Sequence, residues 1–426
     1  MPRLFGRLLG NRAAPNLMSE STNRNSPAGG RHHAVLAGFL GWTLDAFDFF
    51  VIVFLYDTLA HEFGVSKSAI VFTTTATLAL RPIGALIFGL LADRYGRRVP
   101  LMANVVYFSV IELLCGFAPN YTVFLVLRSL FGIGMGGEWG VGASLAMEAA
   151  PVRLRGIFSG VLQCGYSIGY LLAAFAARFL LPHWGWRWMF WIGVAPALLA
   201  LYIRAKVPES EAWRQSRAAS TGQILRVVAK EWKRFAYLVV LMTFMMFLSH
   251  GTQDLYPDFL KEVHRVAGTR VADIAILYNI GAILGAVLFG YLSQAAGRRK
   301  GMIAALALCL VMIPFWAFSR NLGVLLAAAF VMQMGVQGAW GVIPVHLNEL
   351  AAAAARGLMP GLAYQLGILF ASPTNTIEYA LRDRVGYQWA IAGFEIVTIA
   401  VLIVLLLIGS EEHSKSFVQS EGSSPS

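Results

Sequence analysis

Apolar runs of about 20 residues recur along this chain with short polar breaks between them, and few folds tolerate that pattern. A run of that length crosses ~30 Å of hydrocarbon as a helix, and a helix satisfies its own backbone in lipid where an open strand does not. The runs and their breakers predict helices over about 34–58, 69–92, 99–117, 121–148, 155–181 and 188–206, and again over 234–260, 271–294, 300–318, 322–349, 357–380 and 387–409. The fold class is therefore an all-α membrane protein with about twelve transmembrane helices. Composition agrees, with 57% hydrophobic and 13% charged residues, against about 25% charged in soluble domains.

The organisation follows from the same breaks. Residues 1–33 are polar and read as a disordered N-terminal tail, in which Met18 offers an alternative start to Met1. A six-helix half over 34–206, a linker over 207–233, a second half over 234–409 and a tail over 410–426 follow. Of the 34 Lys and Arg, most fall in the two tails and in alternate loops. That bias predicts both termini in the cytoplasm, in an inner or plasma membrane. It also argues against nucleic acid as the partner of the +11 net charge, because no soluble domain remains to bind one. Cys115, Cys164 and Cys309 all lie in apolar runs and read as helix-packing residues. No metal spacing, phosphate-cradling loop or nucleophile–base set is present in the sequence, which argues against an enzyme and implies no cofactor.

The two halves repeat. Gly89, Gly96, Arg97 and Arg98 in GLLADRYGRR return 201 residues later as Gly290, Gly297, Arg298 and Arg299 in GYLSQAAGRR. The same offset carries Trp139 to Trp340, Glu148 to Glu349, Arg155–Gly156 to Arg356–Gly357, and Gly160 to Gly361. Parallel repeats of six helices suit a midplane site that rocks between two openings. In the repeated loop, glycine lets two helices approach, Asp93 sits near the next helix and the arginines stay outside the oil. Gly89, Asp93, Gly96, Arg97 and Arg98 are expected to latch one conformation. Gln294 stands where the acid would be in the second copy, so the N-terminal latch alone should be ionic.

Polar side chains inside the oil point to a path, since each charge there costs roughly 2–3 kcal/mol or more. In helix seven, His250, Gln253 and Asp254 follow at i, i+3 and i+4 and share one face. In helix one, Asp45 and Asp48 share a face, repel, and so favour one carboxyl holding a proton. Arg81 lies half-way along helix two, where a guanidinium either grips a carboxylate by two parallel bonds or pairs with the helix-one acids. Glu138 in helix four is a partner for Arg128 or a second proton site. Glu112, Glu378 and Glu395 read as peripheral. Trp42, Phe47, Phe49, Phe50, Tyr166, Tyr170, Trp340 and Tyr364 read mostly as packing or interfacial residues, with at most a few on a cavity wall.

These motifs bring a family into view. GLLADRYGRR resembles the loop signature between helices two and three of the major facilitator superfamily, RSLFGIGMG resembles its helix-four signature, and PESEAW at Pro208–Trp213 is similar to the stretch after helix six. SHGTQD at Ser249–Asp254 further resembles the helix-seven signature of lactate permeases in the sialate:proton symporter family. Met246 and Asp258 stand where that signature carries Asn and Thr. YQLG at Tyr364–Gly367 is similar to the same branch and adds Gln365, with Ile368 where Asn would follow. The resemblance implies the major facilitator fold and proton-coupled symport of a lactate- or pyruvate-type carboxylate, with sialate or an aromatic acid as the alternative. Substrate would meet Arg81, His250, Gln253, Asp254 and Gln365, while Asp45, Asp48, Arg128 and Glu138 would handle the proton. The partners implied are a small organic acid, protons and the bilayer, with the monomer as the working unit. A transport-dead sensor is the more distant reading, but it would need a large cytoplasmic output segment.

Overall fold

The computed structural model describes residues 28–216 and 220–418. Among them twelve long helical segments run back and forth in two groups of six. Helix one runs over Ala28–Val51, passes through a 3-10 turn (Ile52–Leu55) and continues over Tyr56–Phe63. Helices two to five are Lys67–Tyr95, Arg98–Cys115, Tyr121–Ala149 and Arg155–Phe179, and helix six spans Trp186–Lys206. Helix seven is Trp232–Gln253, followed after a break by Tyr256–Glu262. Helices eight to ten are Gly268–Ala296, Arg298–Phe318 and Leu322–Leu350. Helix eleven is broken into Met359–Ala371 and Thr374–Val385, and helix twelve is Tyr387–Ile408. Ten of these are long and apolar enough to cross a membrane. The other two are helix four, which is 29 residues long but carries Arg128 and Glu138, and the broken helix eleven.

The boundaries depart from expectation mainly at breaks and ends. Helix one begins at Ala28, inside the stretch expected to be tail, while residues 1–27 lie outside the described residues. The linker holds two short helices, Glu211–Ser216 and Thr221–Lys230. The breaks in helices seven and eleven fall at polar stretches, Thr252–Asp254 and Ser372–Asn375, each with a proline close by (Pro257 and Pro373), inside runs read as single helices.

In two helix pairs the duplication is exact in length. Helices two and eight are both 29 residues and begin 201 apart, as do helices four and ten. Their caps repeat too. The Asn120 side chain accepts from Val123 N at 3.0 Å, and Asn321 accepts from Gly323 N at 2.8 Å, each satisfying a donor that the helix start leaves free. A 29-residue helix is about 44 Å long, so these four stand beyond ~30 Å of oil. Outward faces are apolar and uncovered, with Ile408 72%, Leu198 68% and Val397 61% exposed. In water such surface would aggregate; in lipid it is the correct one.

Glycine sets how closely the halves approach. Gly140 of helix four faces Gly361 of helix eleven, and a Cβ on Gly140 would lie 2.6 Å from the Gly361 Cα. On the same side as both termini, Asp93 crosses between halves by accepting the backbone N–H groups of Gly357 (2.7 Å) and Leu358 (2.9 Å). Arg97 binds Asp93 and, at 3.0 Å, Glu148, which also takes Arg356 at 3.3 Å. Burial works against the Arg97 charge, but Glu148 and Asp93 outweigh it and hold its pKa above the ordinary value. Gly96, at φ +105°, turns the loop, and Glu209 of PESEAW accepts from Arg97 N (2.8 Å) and Arg98 N (3.3 Å).

The second copy corrects one expectation. Gln294 makes the crossing without charge, accepting from Gly156 N at 3.0 Å and donating to Val152 O at 2.9 Å. Its network is ionic all the same, because Glu349 binds Arg298 (3.0 Å) and Arg155 (3.5 Å). The acid came from helix ten, a position that the loop comparison alone did not weigh.

Besides its pair with Arg97, Asp93→Ala removes two buried bonds between the halves to a charged acceptor, each worth about 1.5–3 kcal/mol. With 1.4 kcal/mol equal to a tenfold population change, the terminus side is expected to open in a majority of molecules. Spin labels at Leu154 and Ala295 would read this as a longer inter-half distance; an unchanged distribution would remove Asp93 from the latch.

Candidate functional site

Away from those contacts between the halves, the two halves enclose a chamber of about 360 Å³. Helix one contributes Phe49, Phe50 and Val53, helix two Arg81, and helix five Gln163, Tyr166 and Tyr170. From the other half come Ser249, His250, Gln253 and Asp254 of helix seven, Asn279 of helix eight, Gln337 and Trp340 of helix ten, and Tyr364 of helix eleven. Val53, Pro257 and Tyr278 lie toward the ends opposite the termini, so the chamber extends to that face.

Arg81 and His250 therefore share one cavity, from opposite halves. Arg81 is buried, with Nε and Nη2 lacking any hydrogen-bond partner. Its guanidinium stands 5.9 Å from the Tyr364 ring centre. The Arg81 carbonyl is pinned by helix four, where Gly136 leaves no room for a Cβ. An arginine so held, with unpartnered donors, suits an anion.

Across the chamber His250 Nδ1 lies 3.1 Å from Asp254 Oδ2, and the His250 side chain is 39% exposed to the chamber. Asn375 also donates to that Asp254 oxygen at 3.2 Å. Asp254 sits where helix seven breaks, so its side chain faces the cavity. Gln253 Nε2 donates to Gln333 Oε1 at 2.9 Å, and Gln333 donates on to Thr252 Oγ1 at 3.1 Å. The three residues of the i, i+3, i+4 face all reach the chamber.

The acids of the first half lie beneath it. Asp45, Asp48 and Glu138 are fully buried, and none of their carboxyl oxygens has a hydrogen-bond partner. Asp45 and Glu138 are electrostatic neighbours of each other and of Arg81. Glu138 is packed against Gly41 and Gly142, which only glycines permit. It does not pair with Arg128. That role belongs to Glu112, which accepts from Arg128 Nη1 at 2.8 Å with both side chains fully buried. Glu112 follows Asp48 toward the same arginine from helix three, a pairing between helices that linear spacing does not reveal.

Two further placements differ from expectation. Gln365 is buried away from the chamber wall and donates to Gly136 O at 3.4 Å, bridging helices eleven and four. The aromatic residues do more than pack: Phe49, Phe50, Tyr166, Tyr170, Trp340 and Tyr364 all line the chamber. Below them Tyr364 stacks on Trp139 at 4.3 Å and meets Trp340 at 5.8 Å, so the duplicated tryptophans close the floor. The glutamines at 333 and 337, four apart in an apolar helix, were the visible signal for a wet face on helix ten that periodicity could have supplied.

Comparison with known proteins bears on this geometry. The description "Major Facilitator Superfamily" matches residues 38–254, and "Sugar (and other) transporter" matches 235–423. A carboxylic acid transporter protein homolog of Saccharomyces cerevisiae is 31% identical over 401 residues, covering 88% of this chain; the chain spans 65% of that protein's length. The sialic acid transporter NanX of Escherichia coli is 27% identical, with 90% of this chain and 95% of NanX covered. Among solved structures, the proton:xylose symporter XylE superposes with a TM-score of 0.73 at 20% identity, over 91% of this chain and 98% of XylE.

Proposed function

This chain belongs to the major facilitator superfamily and is a multi-pass membrane transporter, and from that premise we propose that it moves a small carboxylate together with a proton by alternating access. The observation that carries the reading is the Arg81 guanidinium, with two unpartnered nitrogens, in a chamber whose opposite wall is His250 and Asp254. Arg81 holds the carboxylate by two parallel charge-assisted bonds. His250, Gln253 and Asp254 complete the polar wall. Asp45, Asp48 and Glu138, with Arg128 held by Glu112, take up the proton beneath.

Charge bookkeeping supports coupling. Four buried acids (Asp45, Asp48, Glu112, Glu138) face two buried arginines (Arg81, Arg128). Leaving two uncompensated carboxylates in low dielectric costs several kcal/mol each, so protons stay bound until a charge moves. When an anion neutralises Arg81, the proton on its acid neighbours is held more tightly, and anion and proton cross as a neutral pair. Absence of a phosphate-cradling loop leaves an ion gradient as the energy source for uphill movement. The positive-inside bias supports a cytoplasmic position for the bridged side, and with the chamber open to the other side an inward proton gradient would drive uptake.

The chamber volume bears on the cargo. At ~30 Å³ per water it holds about a dozen waters, more room than a lactate or pyruvate fills. Its aromatic walls and the carboxylic and sialic acids named for the two relatives favour, as a second reading, a larger or flatter acid such as sialate or an aromatic carboxylate. Proteoliposomes with an inward proton gradient decide between them. Labelled lactate uptake should be competed by unlabelled lactate and pyruvate under the first reading, and by benzoate or sialate at about tenfold lower concentration under the second. Uptake that ignores the pH gradient for every acid would overturn proton coupling.

A further inference from the structure

The proposed proton sites all lie in the first half, yet the second half buries two acids that the transport reading leaves unused. Glu378 on the second segment of helix eleven and Glu395 on helix twelve are both fully buried, and all four of their carboxyl oxygens lack a hydrogen-bond partner. They are electrostatic neighbours of one another, and Glu378 is also a neighbour of Asp254. Asn375, three residues before Glu378 and on the same face of helix eleven, donates to Asp254 Oδ2 at 3.2 Å. That bond docks the helix-eleven segment onto the helix-seven break. Glu395 Oε1 fills the space that a side chain at Gly251 would take, directly after His250. The polar groups therefore run from the chamber through His250 and Asp254 to Glu378 and then Glu395.

We propose that Glu378 and Glu395 form a second proton-binding site, in the C-terminal half, connected to the chamber through Asp254 and His250. An unpaired carboxylate buried among apolar side chains is far costlier than the neutral acid, and among the described residues no arginine or lysine faces this pair. The titratable groups that do face it are Asp254 from helix seven, itself paired with His250, and Cys309 from helix nine, beside Glu395. The proton sits on one oxygen of each carboxyl. Glu378 exchanges its proton with Asp254 when the break in helix seven moves, and Asp254 exchanges with His250, which the chamber water reaches. Glycine at 251 is what lets a carboxyl approach the helix-seven backbone, so movement of helix seven directly alters the surroundings of Glu395.

Proton occupancy does not rest on the transport reading, whereas the connection to the chamber does, and two measurements separate them. Infrared titration of the purified full chain reads the carbonyl stretch of protonated carboxyls without any substrate. Glu378→Gln and Glu395→Gln, close in shape to the neutral acids, should each remove one carboxyl's absorbance at pH 7, and Asp254→Asn should move the pH at which the Glu378 share disappears. Spectra that both glutamine variants leave unchanged at pH 7, or acids titrating near the ordinary ~4.3, would overturn the site. If one variant does not elute as a single species, the other decides. In proteoliposomes given labelled benzoate, Glu378→Gln should lower the inside-to-outside accumulation ratio reached under a proton gradient at least twofold while exchange of benzoate without a gradient continues. An unchanged ratio would overturn the connection; wild-type protein that moves no benzoate, lactate or sialate would count against the transport reading alone, leaving the infrared result to stand.

Discussion

Arg81→Ala should lower carboxylate uptake about 100-fold or more, with the protein still folded. Arg81 lines the chamber with two unpartnered guanidinium nitrogens and its backbone is clamped by Gly136, so on the proposed reading alanine removes the anion's principal partner without opening the helix packing. Losing one member of a buried, hydrogen-bonded charge pair costs about 2–5 kcal/mol, and 1.4 kcal/mol is tenfold. Arg81→Lys should fall between the two, since an ammonium keeps the charge and loses the planar fork. Initial rates of labelled acid uptake, compared at equal reconstituted amounts, give the ratio. Should alanine retain more than a third of the wild-type rate, the anion sits elsewhere, and His250 with Asp254 becomes the place to look.

The second large effect concerns coupling. Asp45→Asn and Glu138→Gln each remove a titratable partner of Arg81 while keeping its shape. Gradient-driven accumulation should collapse to the equilibrium level, a loss of tenfold or more, while exchange of internal for external acid persists. The pH dependence gives the sign. Where proton loading limits the rate, wild-type uptake should rise roughly tenfold for each unit by which the outer pH falls, as one bound proton requires. The variants should be flat over the same range. Variants that still accumulate acid against a gradient would remove Asp45 and Glu138 from the coupling path and leave Asp48 and the C-terminal acids.

Much of this was open to sequence reasoning because the bilayer is a strict solvent. Apolar runs had to become helices, and the 201-residue register had to become two similar halves. His250, Gln253 and Asp254 were found because a helix places i, i+3 and i+4 on one face. Contacts between helices were not legible in the same way. Glu112 as the mate of Arg128, Glu349 as the acid of the second latch and Gln365 as a bridge to Gly136 all depend on which helices adjoin. Glu378 and Glu395 read as peripheral in the sequence, and the packing of helices eleven and twelve buries both.

By itself, then, the chain specifies a helical membrane body, its duplication, the family it belongs to and a set of polar side chains that oil will not accept unpartnered. Whether those side chains meet one another or one cavity was decided only when twelve helices packed, because spacing along a helix fixes the direction of a side chain and says nothing of what faces it. The tertiary structure brought Arg81 and His250 into one chamber from opposite halves. It also withheld hydrogen-bond partners from Asp45, Glu138, Glu378 and Glu395.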